Sequence, residues 1–310
     1  MILCCGEALI DMLPRRTPAG EPAFSPYAGG ALFNSAIALG RLGAPVEFFS
    51  GLSTDLFGQQ LMRALAESKA GTRYAHFSPR PTTLAFVDLK DGHATYVFYD
   101  EGTAGRMLSP EDLPDLADDV DALLFGAISL IPEPCGSSYE ALMAREHRQR
   151  VTMLDPNIRP GFIPDRTRHA ARIRRMMAMA DIVKLSDEDL KWFDEPGTQD
   201  EVVRGWLERG PKLILVTQGS KGAIAYSHDH VVNVQPQKVT VVDTVGAGDT
   251  FNAGILASLH DQGLLTKPAI STLTEDAIRQ ALTLGTKAAA VTVSRAGANP
   301  PWRHEIAPVS

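Results

Sequence analysis

Short apolar segments alternate with amphipathic helical patterns along most of the chain. The apolar segments predict strands at residues 2–5, 46–50, 122–126, 151–155, 182–185 and 213–217. The helical patterns cover residues 34–42, 57–68, 166–180 and 201–209. Alternation of this kind indicates βαβ units, and strands without a polar alternate face indicate a sheet that is covered by helices on both sides. We therefore predict a doubly wound, mostly parallel α/β sheet, in which ligands bind beyond the carboxyl ends of the strands.

One stretch departs from this alternation. Residues 82–99 form two β-prone arms around Asp91-Gly92, a dipeptide that favours a two-residue hairpin turn. Residues 14–30 also lack helical periodicity. We predict one domain over residues 1–310 with a small β-sheet lid that is formed by roughly residues 12–30 and 80–101. An ordinary hairpin at the edge of the main sheet is the alternative.

Composition narrows the class of partner. The chain has 310 residues, of which 44% are hydrophobic and 22% charged, so it can bury a large core. Its net charge of −7 and the lack of dense Lys or Arg runs argue against nucleic acid, which leaves a small molecule as the expected partner. The three cysteines fit a reducing compartment, and no apolar run has the length of a signal-peptide core or a membrane span. We expect a cytoplasmic protein without a membrane partner.

The strongest motif is the run from Asp243 to Gly254, with the sequence DTVGAGDTFNAG. Gly246, Ala247 and Gly248 precede an apolar-periodic run and predict the first turn of a helix, whose free N–H groups and dipole favour an anion. Asp249 lies in this turn. We expect its carboxylate to stay ionised and to take the proton of a hydroxyl that attacks a phosphorus atom. The alternative is a tight helix entry in which Asp249 interacts only with the helix dipole.

Two other nucleotide-binding motifs are absent from the sequence. No G-x-x-x-x-G-K-[ST] occurs, and the nearest approach to G-x-G-x-x-G is residues 246–251, which lack the third glycine. The chain therefore belongs to neither of these classes of nucleotide site.

Residues 243–254 closely resemble the C-terminal signature of PfkB carbohydrate kinases, and residues 29–34 with 38–43 resemble the N-terminal signature. Residues 6–11, 126–130, 155–159 and 181–188 are most similar to the bacterial fructokinase branch. The resemblance implies a ribokinase-like fold and the ATP-dependent transfer of a phosphoryl group to a sugar hydroxyl. The similarity to the fructokinase branch implies D-fructose as the sugar and fructose 6-phosphate as the product. Kinases of 2-keto-3-deoxygluconate, ribose or nucleosides are alternatives, as is a non-catalytic sugar sensor, against which the intact Asp249 argues.

The sugar side of the predicted site follows from residue chemistry together with this resemblance. Asp11 follows the first strand, and its carboxylate can accept bonds from two vicinal hydroxyls. The other predicted sugar contacts are Gly29, Gly30, Asn34, Arg159, Tyr96 and Phe98. Taken alone, these residues also fit a turn, a helix N-cap, a solvated arginine and the packing face of a hairpin.

The nucleotide side rests mainly on the resemblance. The predicted contacts are Thr217, Gly219, Gly222, Gly248, Lys184, Ser186, Ala289 and Ser294, with Ala288 and Gly297 in the same C-terminal helix and loop. A hairpin turn explains Gly219 and Gly222 equally well.

The metal prediction meets a departure from the family pattern. Many family members carry N-x-x-E at a position where this chain has Ser186-Asp-Glu-Asp189. We expect Mg²⁺ dependence, with Asp189 acting through water. The resemblance to the family also implies a monovalent cation such as K⁺ near Asp243 and the loop after Ser294. Dimerisation through exposed lid edges is a further expectation.

Overall fold

The computed structural model describes residues 1–90 and 93–306, without the side chains of residues 88–96. The Asp91-Gly92 turn and the Tyr96 side chain, both part of the predicted lid, lie outside this description. In the described chain, strands β1 to β15 are, in order, Ile2–Cys5, Leu9–Arg16, Pro22–Gly29, Val46–Phe49, Gly51–Ser53, Ala70–Gly71, His76–Ser78, Leu84–Lys90, His93–Tyr99, Ala122–Gly126, Val151–Asp155, Ile182–Ser186, Leu213–Thr217, Ala223–Tyr226 and Val231–Val234.

Helices connect most of these strands. In the same described residues, helices α1 to α9 are Ala31–Arg41, Leu56–Glu67, Cys135–Glu146, Arg166–Met179, Asp187–Trp192, Gln199–Leu207, Ala247–Asp261, Lys267–Ile270 and Glu275–Val293. Short 3₁₀ helices occur at Pro110–Asp112, Ala127–Leu130, Pro160–Phe162, Gly219–Lys221 and Arg303–Glu305. No helix in this part of the chain is long and apolar enough to span a membrane.

The main sheet has nine strands in the order β15-β14-β13-β12-β11-β10-β1-β4-β6. Neighbours are parallel except for the antiparallel pairs β13–β14 and β14–β15. Successive residues of β1 enter different cores, because Ile2 and Cys4 pack with α1, α7 and α9, whereas Leu3 and Cys5 pack with α3, α4 and α6. The predicted sheet, buried on both faces, is therefore confirmed.

A second sheet of four strands has the order β3-β2-β8-β9, with β2 and β8 parallel at its centre. It contains Asp11, which the sequence analysis placed at the end of the first strand. That placement was wrong, because the chain turns at Gly6-Glu7 and starts the new strand β2 at Leu9, so Asp11 lies inside the small sheet. In the lid region, this sheet consists of the strands Leu9–Arg16, Pro22–Gly29, Leu84–Lys90 and His93–Tyr99.

The boundary of α1 also differs from the expectation. Asn34 was expected to cap this helix, but Gly30 occupies the N-cap position and Ala31 starts the helix. The reason is a contact across the chain, since the Glu7 carboxylate accepts the Ala31 N–H at 2.7 Å. Asn34 consequently lies inside the first turns of α1, where it is buried.

Candidate active site

The glycine-rich turn that starts α7 has the predicted form. Gly246 is the N-cap and has φ 77°, in the left-handed region that favours glycine. Gly248 lies in the first turn, where an added Cβ would come within 3.0 Å of Lys184 Nζ. Small residues here leave the helix N-terminus open to an anion beside a buried ammonium group.

Asp249 is buried in the same turn and is held by α1. Its Oδ2 accepts a hydrogen bond from Asn34 Nδ2 at 2.9 Å, and its backbone carbonyl accepts one from Ser35 Oγ at 3.1 Å. Burial raises the pKa of Asp249 to about 6, opposed by the Asn34 hydrogen bond and by the positive charges of Lys184 and Arg159. Desolvation, which the sequence analysis did not consider, is therefore the largest effect on the pKa of this carboxyl. A carboxyl with this pKa can act as a base near neutral pH.

A network of buried polar side chains lies beside this turn. Lys184 Nζ donates to Asp155 Oδ2 at 3.0 Å, and Asn252 Nδ2 donates to the same oxygen at 2.7 Å. The negative charges of Asp155, Asp189 and Asp249 outweigh burial and raise the pKa of Lys184. The ammonium group therefore stays charged at the turn, and its position is fixed by hydrogen bonds.

Glu7 is a further acidic group near Asp249 that the sequence analysis did not select. One carboxylate oxygen, Oε1, receives the Ala31 N–H, while the buried Oε2 has no hydrogen-bond partner among the described residues. Burial raises the pKa of Glu7 to about 7, and the charge of Asp249 contributes to this rise. The signal in the sequence was the Gly6-Glu7 break after β1, at the carboxyl end of a central strand.

A cavity of about 310 Å³, called the smaller cavity below, lies between the four-stranded sheet and the end of β10. Its lining includes Glu7, Leu9, Thr83, Phe98, Asp100, Arg106, Ile128, Ser129 and Phe162. Phe98 contacts Phe162 edge to face, with ring centroids 4.7 Å apart, so the small sheet reaches across to the loop that follows β11. Cavities of this size hold small ligands.

Of the predicted sugar contacts, Phe98 lines the smaller cavity and Asn34 bonds Asp249. Asp11 lies on β2, Gly29 on β3 and Gly30 at the N-cap of α1, and the Tyr96 side chain lies outside the described residues. Asp11 packs so closely to Gly29 that an added Cβ at Gly29 would meet Asp11 Oδ2 at 2.3 Å. Burial raises the pKa of Asp11 to about 6. Arg159 is exposed, donates to the Ile158 carbonyl at 3.1 Å, and its charge reaches Asp249.

A cavity of about 850 Å³, called the larger cavity below, is lined in part by Ala247 and Gly248 of the glycine turn. Five of the predicted residues line it: Thr217, Gly219, Gly222, Gly248 and Ala289. Ala247 also lines it, whereas Lys184, Ser186 and Ser294 do not, and Ala288 is buried. The other lining residues were missed by the sequence analysis: Ser220, Ala223, Gln235, Pro236, Gln237, Lys238, Val239, Val241, Thr244, Phe251, Thr286, Ala290 and Val293.

The two predicted metal contacts are engaged in hydrogen bonds. Asp189 Oδ1 accepts the Ile158 N–H at 2.7 Å, and Oδ2 accepts the Ser186 N–H and Oγ–H at 2.8 and 2.7 Å, in a capping box at the start of α5. Asp243 accepts the N–H groups of Val245 and Gly297. No cluster of three potential metal ligands occurs among the described residues. A metal contact of Asp189 stays a prediction that these hydrogen bonds do not favour.

Comparison with known proteins identifies the family. The family model described as pfkB family carbohydrate kinase matches residues 1–305. The chain belongs to this family. It is 60% identical over 279 residues to a fructokinase from Rhizobium leguminosarum bv. trifolii, covering 90% of this chain and 86% of the relative.

Solved carbohydrate kinases have the same fold. The fructokinase from Xylella fastidiosa with bound ATP matches with a TM-score of 0.88 and 30% identity, over 96% of this chain and 93% of that chain. The fructokinase from Vibrio cholerae O395 in the fructose, ADP and calcium ion bound form matches with a TM-score of 0.82 and 26% identity, over 96% of this chain and 94% of that chain. The predictions of a PfkB carbohydrate kinase and of a ribokinase-like fold are confirmed.

Proposed function

We propose that this carbohydrate kinase transfers the γ-phosphoryl group of ATP to D-fructose and forms fructose 6-phosphate. The observation that carries the proposal is Asp249, a buried carboxyl at the start of α7 with a pKa of about 6, next to a glycine turn that opens on the larger cavity. The 60% identity to a fructokinase supports the choice of sugar.

The smaller cavity and the residues around Asp249 hold the sugar in this proposal. Asp249 takes the proton of the sugar hydroxyl while that oxygen bonds to the γ-phosphorus, and the bond from phosphorus to the bridging oxygen breaks to release ADP. Asn34 fixes the carboxylate through its 2.9 Å hydrogen bond. Asp11, Gly29, Gly30 and Arg159 remain proposed sugar contacts.

The larger cavity holds the nucleotide. Thr217, Gly219, Gly222 and Ala289 line it, which supports their proposed role. The open N-terminus of α7 at Gly246-Ala247-Gly248 binds the transferred phosphoryl group in this proposal, and Lys184 supplies positive charge beside Gly248. Charge neutralisation and positioning account for most of the catalysis in phosphoryl transfer, and these groups supply both.

The metal requirement follows from the nucleotide. Mg²⁺ keeps several waters and binds chiefly to substrate phosphates in kinase sites, where it neutralises their charge. The described residues offer no protein cage, which agrees with an ion that is held mainly by the nucleotide. We also propose a monovalent cation near Asp243, whose carboxylate joins the turn before α7 to the loop at Gly297.

The four-stranded sheet acts as a lid in this proposal. Phe98 on β9 meets Phe162, so closure covers the smaller cavity and excludes water that would otherwise receive the phosphoryl group. Aromatic residues Phe24 and Tyr99 are exposed on this sheet, and they support a dimer through the lid. Light scattering coupled to size exclusion tests the dimer directly.

The substrate is tested by measuring ADP release with Mg-ATP and D-fructose, 2-keto-3-deoxygluconate, ribose or adenosine. We expect the largest kcat/KM with D-fructose. Turnover with only another of these substrates would refute D-fructose as the substrate but would still support a kinase. The absence of ADP release with all four would favour a non-catalytic sugar sensor.

A further inference from the structure

An ion pair forms part of the wall of the smaller cavity. Arg106 Nη1 lies 2.9 Å from Asp100 Oδ1, and both residues line the cavity next to Phe98. Both side chains are about one-third exposed, at 35% for Arg106 and 29% for Asp100, so they face the cavity as well as each other. Neither residue was selected from the sequence.

Hydrogen bonds hold this pair in place. The Asp100 carbonyl accepts the Thr103 N–H at 3.2 Å and its Oγ–H at 2.8 Å, and Thr103 Oγ1 in turn accepts from Thr83 Oγ1 at 2.9 Å. The Arg106 carbonyl accepts the Cys135 N–H at 3.3 Å. Thr83 and Cys135 also line the cavity, so the backbone that carries each member of the pair is fixed to the cavity wall.

The pair decides the charge that the cavity offers to a ligand. Among the described residues, the charged side chains in its lining are Glu7, Asp100 and Arg106, and the one cation of these three is already paired. Arg159 does not line this cavity. A neutral polyol can use these carboxylates as hydroxyl acceptors. A sugar acid would place its carboxylate near the acidic side chains of Glu7 and Asp100, while Arg106 is already paired. Repulsion between like charges in a partly desolvated site is unfavourable, so binding of the acid is weakened.

We propose that Asp100 is a specificity-determining residue, which selects neutral sugars over sugar acids by neutralising Arg106. The inference rests on the proposed function, because it takes the smaller cavity as the sugar site. It predicts that an unpaired Arg106 turns the same cavity toward substrates that carry a carboxylate.

The test compares Asp100→Asn, Arg106→Gln and the double variant with the wild type. For each protein, kcat/KM with Mg-ATP and Kd by calorimetry are measured for D-fructose and for 2-keto-3-deoxygluconate. Asp100→Asn should raise the preference for the acid relative to fructose about tenfold, equivalent to about 1.4 kcal/mol. Arg106→Gln should lower this ratio, and the double variant should return it close to the wild-type value.

Asp119→Asn is the matched control, because Asp119 pairs with Arg73 at 3.1 Å outside the cavity lining. It removes one carboxylate from an arginine without touching the site, so the ratio should not change. A substitution that only destabilises the fold should lower kcat/KM for both substrates by the same factor, which leaves the ratio unchanged.

An unchanged ratio in Asp100→Asn would overturn the inference while wild-type turnover of fructose left the proposed function standing. If Asp100→Asn does not fold, Arg106→Gln decides, and an unchanged or higher ratio in that variant overturns the inference. If the wild type turns over neither sugar, the proposed function fails and the Kd ratios still decide the role of Asp100. A wild type that prefers the sugar acid would overturn both.

Discussion

Asn34 controls the ionisation of the proposed base, and its replacement should move the pH dependence of the reaction. Its hydrogen bond to Asp249 Oδ2, 2.9 Å long, opposes the rise in pKa that burial causes, and the net pKa is about 6. Asn34→Leu keeps the approximate volume and removes the donor. A hydrogen bond to a charged group contributes about 1.5–3 kcal/mol, and one pKa unit corresponds to about 1.4 kcal/mol. The pKa of Asp249 should therefore rise by about one to two units.

The assay is the pH profile of kcat/KM for fructose between about pH 5 and pH 9. The base must be ionised, so activity should fall as the pH drops below the pKa of Asp249, near 6 in the wild type. In Asn34→Leu this acid limb should lie at higher pH. Ser35→Ala is the control, because Ser35 bonds only the backbone carbonyl of Asp249 at 3.1 Å, and its acid limb should not move.

An acid limb at the same pH in Asn34→Leu and the wild type would refute the reasoning. Glu7 could produce a limb of its own, since its pKa is raised to about 7. Glu7→Gln separates the two groups, because it should retain an acid limb that belongs to Asp249. Loss of the limb in that variant would assign it to Glu7.

Three further substitutions test other parts of the site. Gly248→Ala places a Cβ 3.0 Å from Lys184 Nζ at the mouth of the larger cavity, so kcat/KM for ATP should fall about tenfold or more while Tm does not fall; normal kinetics would contradict this. Phe98→Ala removes the contact with Phe162 and should raise the ratio of ATP hydrolysis to sugar phosphorylation in a coupled assay. Gly254→Ala meets Gly285 Cα at 2.6 Å and should lower the free energy of unfolding by about 1–3 kcal/mol, measured by urea titration.

Local patterns were sufficient to predict much of the main sheet. Residues 122–126, 151–155 and 213–217 were predicted as strands with the bounds that the structure has, because these short runs are apolar on both faces. The turn before α7 was also predictable, since small residues followed by an apolar period specify a helix start. By contrast, α3 was not assigned, because polar and small residues weaken its apolar period. The pattern of α9 was also not assigned, although its apolar period is at least as clear as that of α4.

The geometry of the site depends on contacts between distant parts of the chain. Asn34 and Asp249 are 215 residues apart, and the Glu7 bond that starts α1 spans 24 residues. Neither contact leaves a local signal. The raised pKa of Asp249 results from its burial by the whole fold. The local sequence predicts only that Asp249 lies in the first turn of a helix. The residues from Gln235 to Val241 line the larger cavity without forming a regular element, so periodicity could not select them.

The central claim is that Asp249 accepts the proton of the sugar hydroxyl, and Asp249→Asn tests it most directly. The amide is nearly isosteric and can keep a hydrogen bond in the site, but it cannot take the proton. Single-turnover rates and the Kd for D-fructose should be measured together in this variant. We predict a fall in kcat of about 10²–10⁴ with sugar binding retained. Near-normal turnover in Asp249→Asn would contradict the assignment of Asp249 as the base.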